Sequence, residues 1–207
     1  MIDDALLKRW QKIPVSVAVD YLPDHCQIDP AIRPLLPPGQ QPLLFGQAVT
    51  ALCAPPDFGS VLQALSHLKA GSVLVIDAQA NPDYAMIGDV LCSYLVKIGA
   101  AGVICDGPVR DTRTLAQFNT LPVYSRSITP RGPKGGTSNQ VNKEVLIGGC
   151  KINEGDLIIG DDDGLIAIPP AYLGDYIERC EEKLKLEELW INRLKAGDAI
   201  HEIFNLK

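Results

Sequence analysis

Apolar residues recur at helical spacing near both ends of the chain and in continuous runs through its middle. Leu6, Leu7 and Trp10 share one face of residues 2–12, which predicts a short amphipathic helix stopped by Pro14. Residues 21–42 carry six prolines and read as loop, an arm laid over the surface. A strand is predicted over 45–53, then a helix over 58–69 with Val61, Leu62, Leu65 and Leu68 facing inward. Gly71-Ser72 turns into Val73-Leu74-Val75-Ile76-Asp77, a fully apolar strand ending in an acid.

The alternation then repeats. Gly88-Asp89 opens a helical segment over 90–98 that Gly99 closes; 101–105 is a buried strand, and Asp106-Gly107-Pro108 is a turn. A short helix over 111–118 and a strand over 121–124 follow. Continuous apolar strands separated by helices imply a sheet covered by helices, so the class is α/β. Short strands at 144–150, 156–160 and 164–169 change the character to antiparallel or mixed. Residues 170–197 are helical throughout, with apolar residues on more than one face, as in a helix that packs on another subunit. With no linker or repeat, residues 1–207 form one domain: helix and Pro-rich arm over 1–42, body, and helical tail over 170–207.

Composition narrows the function classes. With 207 residues, 46% of them hydrophobic, the chain can bury a full core. A net charge of -6 is poorly matched to phosphates, so nucleic-acid binding is not expected. The six cysteines form no C-x-x-C pair and several lie in apolar runs, which reads as buried thiols in a reducing compartment. The N-terminus lacks an apolar signal core and no stretch is long enough to span a bilayer, so a cytoplasmic protein without membrane contact is expected.

Candidate chemistry concentrates between Met86 and Pro130. Gly88-Asp89-Val90-Leu91 begins a helix, where free N–H groups and the helix dipole favour a carboxylate. Arg110 and Asp111 follow a strand, and ligands of α/β sheets bind just past the carboxyl ends of strands. Arg110 offers a planar fork for a carboxylate or enolate oxygen, and Asp111 a hard oxygen ligand for Mg²⁺. Each dipeptide alone also fits plain helix capping; their spacing across one helix–strand unit strengthens the functional reading.

The chain resembles the RraA-like family, and within it the class II 4-hydroxy-4-methyl-2-oxoglutarate / 4-carboxy-4-hydroxy-2-oxoadipate aldolases. The similarity is carried by GDVL at 88–91, AAGVICDGPVRD at 100–111, SITPRGP at 127–133 and GDLIIGDDDGLIAIP at 155–169. It implies an αββα sandwich with mixed sheets, a swivelling-type domain, plus a C-terminal helix, assembled as a trimer or a pair of trimers. It also implies divalent-metal-dependent retro-aldol cleavage of a 4-hydroxy-2-oxo acid to pyruvate and a second keto acid, with oxaloacetate decarboxylation alongside. On the matching positions, backbone amides of Gly88, Asp89, Val90 and Leu91 would hold the pyruvate carboxylate, and Arg110 the keto-acid end. Asp111 would anchor Mg²⁺ or Mn²⁺, and Asp89 would orient a catalytic water. Glu187 of an adjacent subunit would hold the metal's waters, with Glu188 one position away as its alternative.

The rival reading is a non-catalytic regulator of a ribonuclease E-type partner, a branch that the same resemblance describes as shorter and without the metal-binding aspartate. Asp111 and the long tail favour the enzyme. Asp161-Asp162-Asp163-Gly164 reads as a hairpin turn and not a calcium loop. The Gly-rich segment 132–137 reads as a mobile loop near the site, and Arg126 and Arg131 are candidates for an extra acid on the substrate. His25, His67 and His201 lack zinc-site spacing. Lys97 sits where it complements a helix dipole and is not needed as a Schiff base. No G-x-G-x-G nucleotide loop supports a methyltransferase.

Overall fold

A computed structural model describes residues 2–204. Its elements run α1 (Asp4–Trp10), α2 (Val15–Val19), β1 (Arg33–Pro34), β2 (Leu44–Leu52), α3 (Gly59–Ala64), β3 (Ser72–Asp77), α4 (Asp89–Ile98), β4 (Gly102–Val109) and α5 (Thr112–Leu115). They continue with β5 (Val123–Ile128), β6 (Val145–Ile147), β7 (Cys150–Ile152), β8 (Leu157–Asp161), β9 (Gly164–Ile168), α6 (Pro170–Ala196) and α7 (Ile200–Ile203). Seven strands form one mixed sheet in the order β1-β5-β4-β3-β2-β8-β9, and β6-β7 make a separate hairpin. The four central strands β5, β4, β3 and β2 are parallel, joined through α3, α4 and α5; β1, β8 and β9 add antiparallel edges.

The sheet curls until its two ends meet. Tyr124 of β5 donates its hydroxyl to Asp161 O at the end of β8, 2.9 Å away, across an interior built from Ile104, Val75, Ile158 and Leu165. The β6-β7 hairpin plugs that interior with Val145, Ile147, Cys150 and Ile152. Outside the parallel strands, α3, α4 and α5 bury Val61, Cys92, Leu95 and Leu115 against the sheet. Outside β8 and β9, helices α1, α2 and α6 bury Trp10, Val17, Leu173 and Ile177. Helices, strands, interior, strands and helices thus follow one another, the mixed α/β layering with a C-terminal helix that the sequence implied.

Four local expectations are corrected. The Pro-rich stretch is no surface arm: Leu22, Cys26, Ile28 and Ile32 are buried, and Arg33–Pro34 pair with β5, because four apolar anchors pull the segment into the core. Asp106-Gly107-Pro108 does not turn but stays in β4, the register shifting between Cys105 and Pro108, and a bulge tolerates a residue without an N–H. Residues 144–150 are two strands instead of one. Gly148 and Gly149, both at positive φ, make the tight turn between them. Helix α3 stops at Ala64, and Leu62 is 40% exposed instead of facing the core.

Helix α6 begins with Pro170 at its first turn and ends at Gly197 in the left-handed conformation. Only its first half is anchored, by Leu173, Ile177 and Cys180; Leu186, Leu189, Ile191 and Leu194 are exposed. Trp10 donates its indole N–H to Leu173 O at 3.0 Å, tying α1 to this helix. Among the described residues no helix is long and apolar enough to cross a membrane.

Candidate functional site

The carboxyl ends of β2, β3, β4 and β5 open toward one edge of the sheet, and the segments that leave them converge there. Ile87 forms a parallel bridge with Val109, and Arg110 N–H donates to Ile87 O at 3.1 Å. This pairing sets the start of α4 beside the end of β4, so Gly88-Asp89 and Arg110-Asp111 become neighbours although 22 residues separate Asp89 from Asp111. Gly88 is needed for the closeness: an added Cβ would overlap Asp111 Oδ2 and stand 3.0 Å from Arg110 Cγ.

Asp111 does not cap α5. Its backbone is left-handed at φ 57°, and it makes no cap hydrogen bond to that helix. The carboxylate instead reaches across the site, where Oδ2 accepts the Asp89 N–H at 3.2 Å and lies 3.5 Å from Arg110 Nε. The Asp111 side chain thus leaves its own helix uncapped and meets the first N–H of α4 instead. Asp111 Oδ1 and the Asp89 carboxylate have no hydrogen-bond partner among the described residues. At the mouth of α4, the Val90 and Leu91 N–H groups likewise have no acceptor, as the first turn of any helix dictates.

Two cavities share Asp89 and Arg110. One, of about 260 Å³, runs along the helix mouth and is walled by apolar side chains including Phe58, Leu62, Met86 and Pro133. The other, of about 390 Å³, is shallower and carries Asp111, Thr112, Arg113 and Thr114. Fixed N–H dipoles and a guanidinium on one side, free carboxylate oxygens on the other, can orient a small anion that also carries a ketone. Among the described residues no cluster of three His, Cys, Asp or Glu side chains could enclose an ion. One or two carboxylates in an open cavity suit a hard cation that keeps most of its water, such as Mg²⁺, and do not suit a zinc site.

The Gly-rich segment lies where expected, beside the site. A Cβ on Gly132 would overlap the Arg110 guanidinium, so the backbone there passes flat over that side chain. The segment is pinned at its far end. Asp57 accepts the Thr137 N–H at 2.9 Å, the Ser138 N–H at 3.1 Å and the Gly59 N–H at 2.8 Å, together with both hydroxyls. Those donors hold the Asp57 carboxyl well below the usual carboxylate range. Neither Asp57 nor the cavity walls Phe58, Leu62 and Met86 were signalled by the sequence; an Asp two positions before a glycine fits any turn.

Other candidates sit elsewhere. Arg126 pairs with Asp106 and Asp29 and lines neither cavity, because the buried Asp106 carboxylate in β4 captures it. Arg131 stands over the Tyr84 ring, 5.6 Å from its centroid. Glu187 lies on α6 paired with Lys183 at 3.2 Å and lines neither cavity of its own chain; Glu188 is exposed on the same helix. Asp161 and Asp162 accept N–H groups of Val15 and Gly39, so the triple-Asp turn is structural as read.

A family model described as "RraA-like: Aldolase/RraA" matches residues 14–167. A curated relative from Halalkalibacterium halodurans named "Putative 4-hydroxy-4-methyl-2-oxoglutarate aldolase" is 29% identical over 177 residues, 86% of this chain and 82% of its own. A Shewanella oneidensis protein of the same name is 30% identical over 152 residues, 71% of this chain and 92% of its own. Among solved structures, an uncharacterized protein from Pseudomonas syringae pv. tomato superposes with a TM-score of 0.82 over 98% of both chains at 20% identity. Streptomyces coelicolor RraAS2, described as an unusual member of the RNase ES inhibitor RraA family, gives 0.80 over 93% of this chain and 100% of its own at 21% identity. At such identities the solved structures speak for the fold alone.

Proposed function

The chain belongs to the RraA-like family, and from that premise we propose that it is a metal-dependent lyase cleaving a 4-hydroxy-2-oxo acid to pyruvate and a second carbonyl product. The observation that carries this reading is Asp111 turned away from its own helix into a site that already holds Arg110, Asp89 and the open mouth of α4. The substrate carboxylate would sit on the N–H groups of the Gly88–Leu91 turn, with Arg110 beside the ketone oxygen. In cleavage the C3–C4 bond breaks and its electron pair enters the keto acid as the enolate of pyruvate. The 4-hydroxyl proton leaves to a base, C4 becomes a carbonyl, and a proton returned to C3 completes pyruvate. Arg110 places fixed positive charge where the enolate oxygen develops, the position at which preorganised charge counts most. An Asp89 carboxylate oxygen, acting through a water, is the base.

Asp111, with Asp89 near by, would hold Mg²⁺ or Mn²⁺, which when bound supplies Lewis-acid polarisation of the ketone. Oxaloacetate carries the same head, and breaking its C3–C4 bond with loss of CO₂ leaves the same enolate, so its decarboxylation should accompany cleavage. The family resemblance further implies a trimer or pair of trimers in which Glu187 from α6 of a neighbour supports the metal's waters.

The test is pyruvate release from a 4-hydroxy-2-oxo acid and from oxaloacetate, with and without EDTA. Wild type should release pyruvate, lose activity to the chelator and regain it with Mg²⁺ or Mn²⁺. Asp111→Ala and Arg110→Ala should each lose at least about a hundredfold in kcat/KM. Equal rates for wild type and Asp111→Ala would overturn the assignment. Wild type that releases no pyruvate from either compound would turn the reading toward regulation of a ribonuclease E-type partner, the activity named for RraAS2's family.

A further inference from the structure

The two cavities meet at the reacting centre, since Asp89 and Arg110 line both. With the keto-acid head on the mouth of α4, the bond that breaks lies over these shared residues, and whatever the substrate carries beyond C4 continues into the second cavity. That cavity, of about 390 Å³, holds a cation of its own. Arg113 lines it, is exposed, and among the described residues has no carboxylate within ion-pair distance. Thr112, Thr114 and Thr129 line the same cavity and can add hydroxyl donors. A carboxylate entering here would exchange its water for a planar donor fork of opposite charge. The arginines that the sequence offered for an extra acid are committed, Arg126 to Asp106 and Asp29 and Arg131 over Tyr84. Lys134 follows Pro133 on the strap beside the helix-mouth cavity and lines neither cavity itself.

We propose that the second cavity receives the far carboxylate of a dicarboxylic 2-oxo acid, with the Arg113 guanidinium as the residue that selects it. The proposal rests on the keto-acid reading of the site, but its test does not need turnover. Binding of 2-oxoglutarate and 2-oxopentanoate, which share a head and differ in a carboxylate or alkyl tail, is measured by titration calorimetry in Mg²⁺-containing buffer. The wild type should bind 2-oxoglutarate at least about tenfold more tightly. Arg113→Ala should bring the two affinities to within about threefold, and Arg113→Glu should invert their order. Lys134→Ala should keep the wild-type ratio. Both positions are exposed, and a thermal melt confirms that the variants fold.

Equal affinities in wild type would overturn the proposal and leave the keto-acid reading standing. A preference for 2-oxoglutarate that survives Arg113→Ala would overturn it as well. If Lys134→Ala then removed that preference, the tail would be shown to lie against the strap; if neither variant removed it, the cation would come from elsewhere, a neighbouring subunit included. Failure of both acids to bind would overturn the proposal together with the keto-acid reading. A preference that depends on Arg113, without pyruvate release in the cleavage assay, would support the proposal and count against the lyase chemistry alone.

Discussion

At the scale of single residues, the site depends on one missing side chain. Gly88 lets Asp111 and Arg110 close on the mouth of α4, and any Cβ there would displace one of them. Gly88→Ala is therefore expected to fold with a nearly unchanged Tm and to lose about a hundredfold in kcat/KM, since small displacements of positioned groups are that costly. Steady-state kinetics beside a thermal melt check both halves. Asp57 has a different signature. Its folded-state carboxyl lies below its ordinary value of 3.8, so it contributes stability that is present above that pH and lost as pH falls through the lower folded value. Asp57→Asn should flatten the Tm profile below pH 3.8 relative to wild type and raise KM, because the strap over Arg110 is then less firmly held.

Among the elements, α6 divides into an anchored half and an open half. Ile177 is buried against β8 and β9, so Ile177→Ala should cost about 2–5 kcal/mol in denaturant unfolding. Leu189 is 54% exposed, and Leu189→Ala should stay within about 0.5 kcal/mol at protein concentrations where the chain is monomeric. Element types were legible wherever a period ran long enough. The helix over 90–98, closed by Gly99, and the apolar strand over 73–77 follow directly from their patterns. The misread pieces are those where tertiary structure outweighs local signal. Pro108 reads as a turn until a bulge keeps it in the sheet, and the prolines of 21–42 mask four buried anchors. In the site, the paired dipeptides at 88–89 and 110–111 were legible because they flank one helix–strand unit. The Asp57 clamp was not, because its partners lie 80 and 81 positions away and only the closing of the sheet brings them together.

Across the whole molecule, the curl of the sheet gathers the strand ends on one side and leaves every cysteine inside. All six thiols are free and buried. Burial raises each above the ordinary thiol value, Cys26 and Cys180 to about 11 and Cys53, Cys92 and Cys150 to about 12. A thiol reagent at neutral pH should react slowly with the native protein and then with all six cysteines once denaturant is added; rapid native labelling would show that one of them is accessible. The same curl makes the site a joint product of four strand ends, and its grip on a keto acid can be weighed without any reaction. Titration of pyruvate in the presence of Mg²⁺ into wild type and Arg110→Ala does so most directly. Saturable binding to wild type, weakened at least about tenfold in the variant, is the expected result. Equal affinity in the two proteins, or none in wild type, would contradict the assignment of this site.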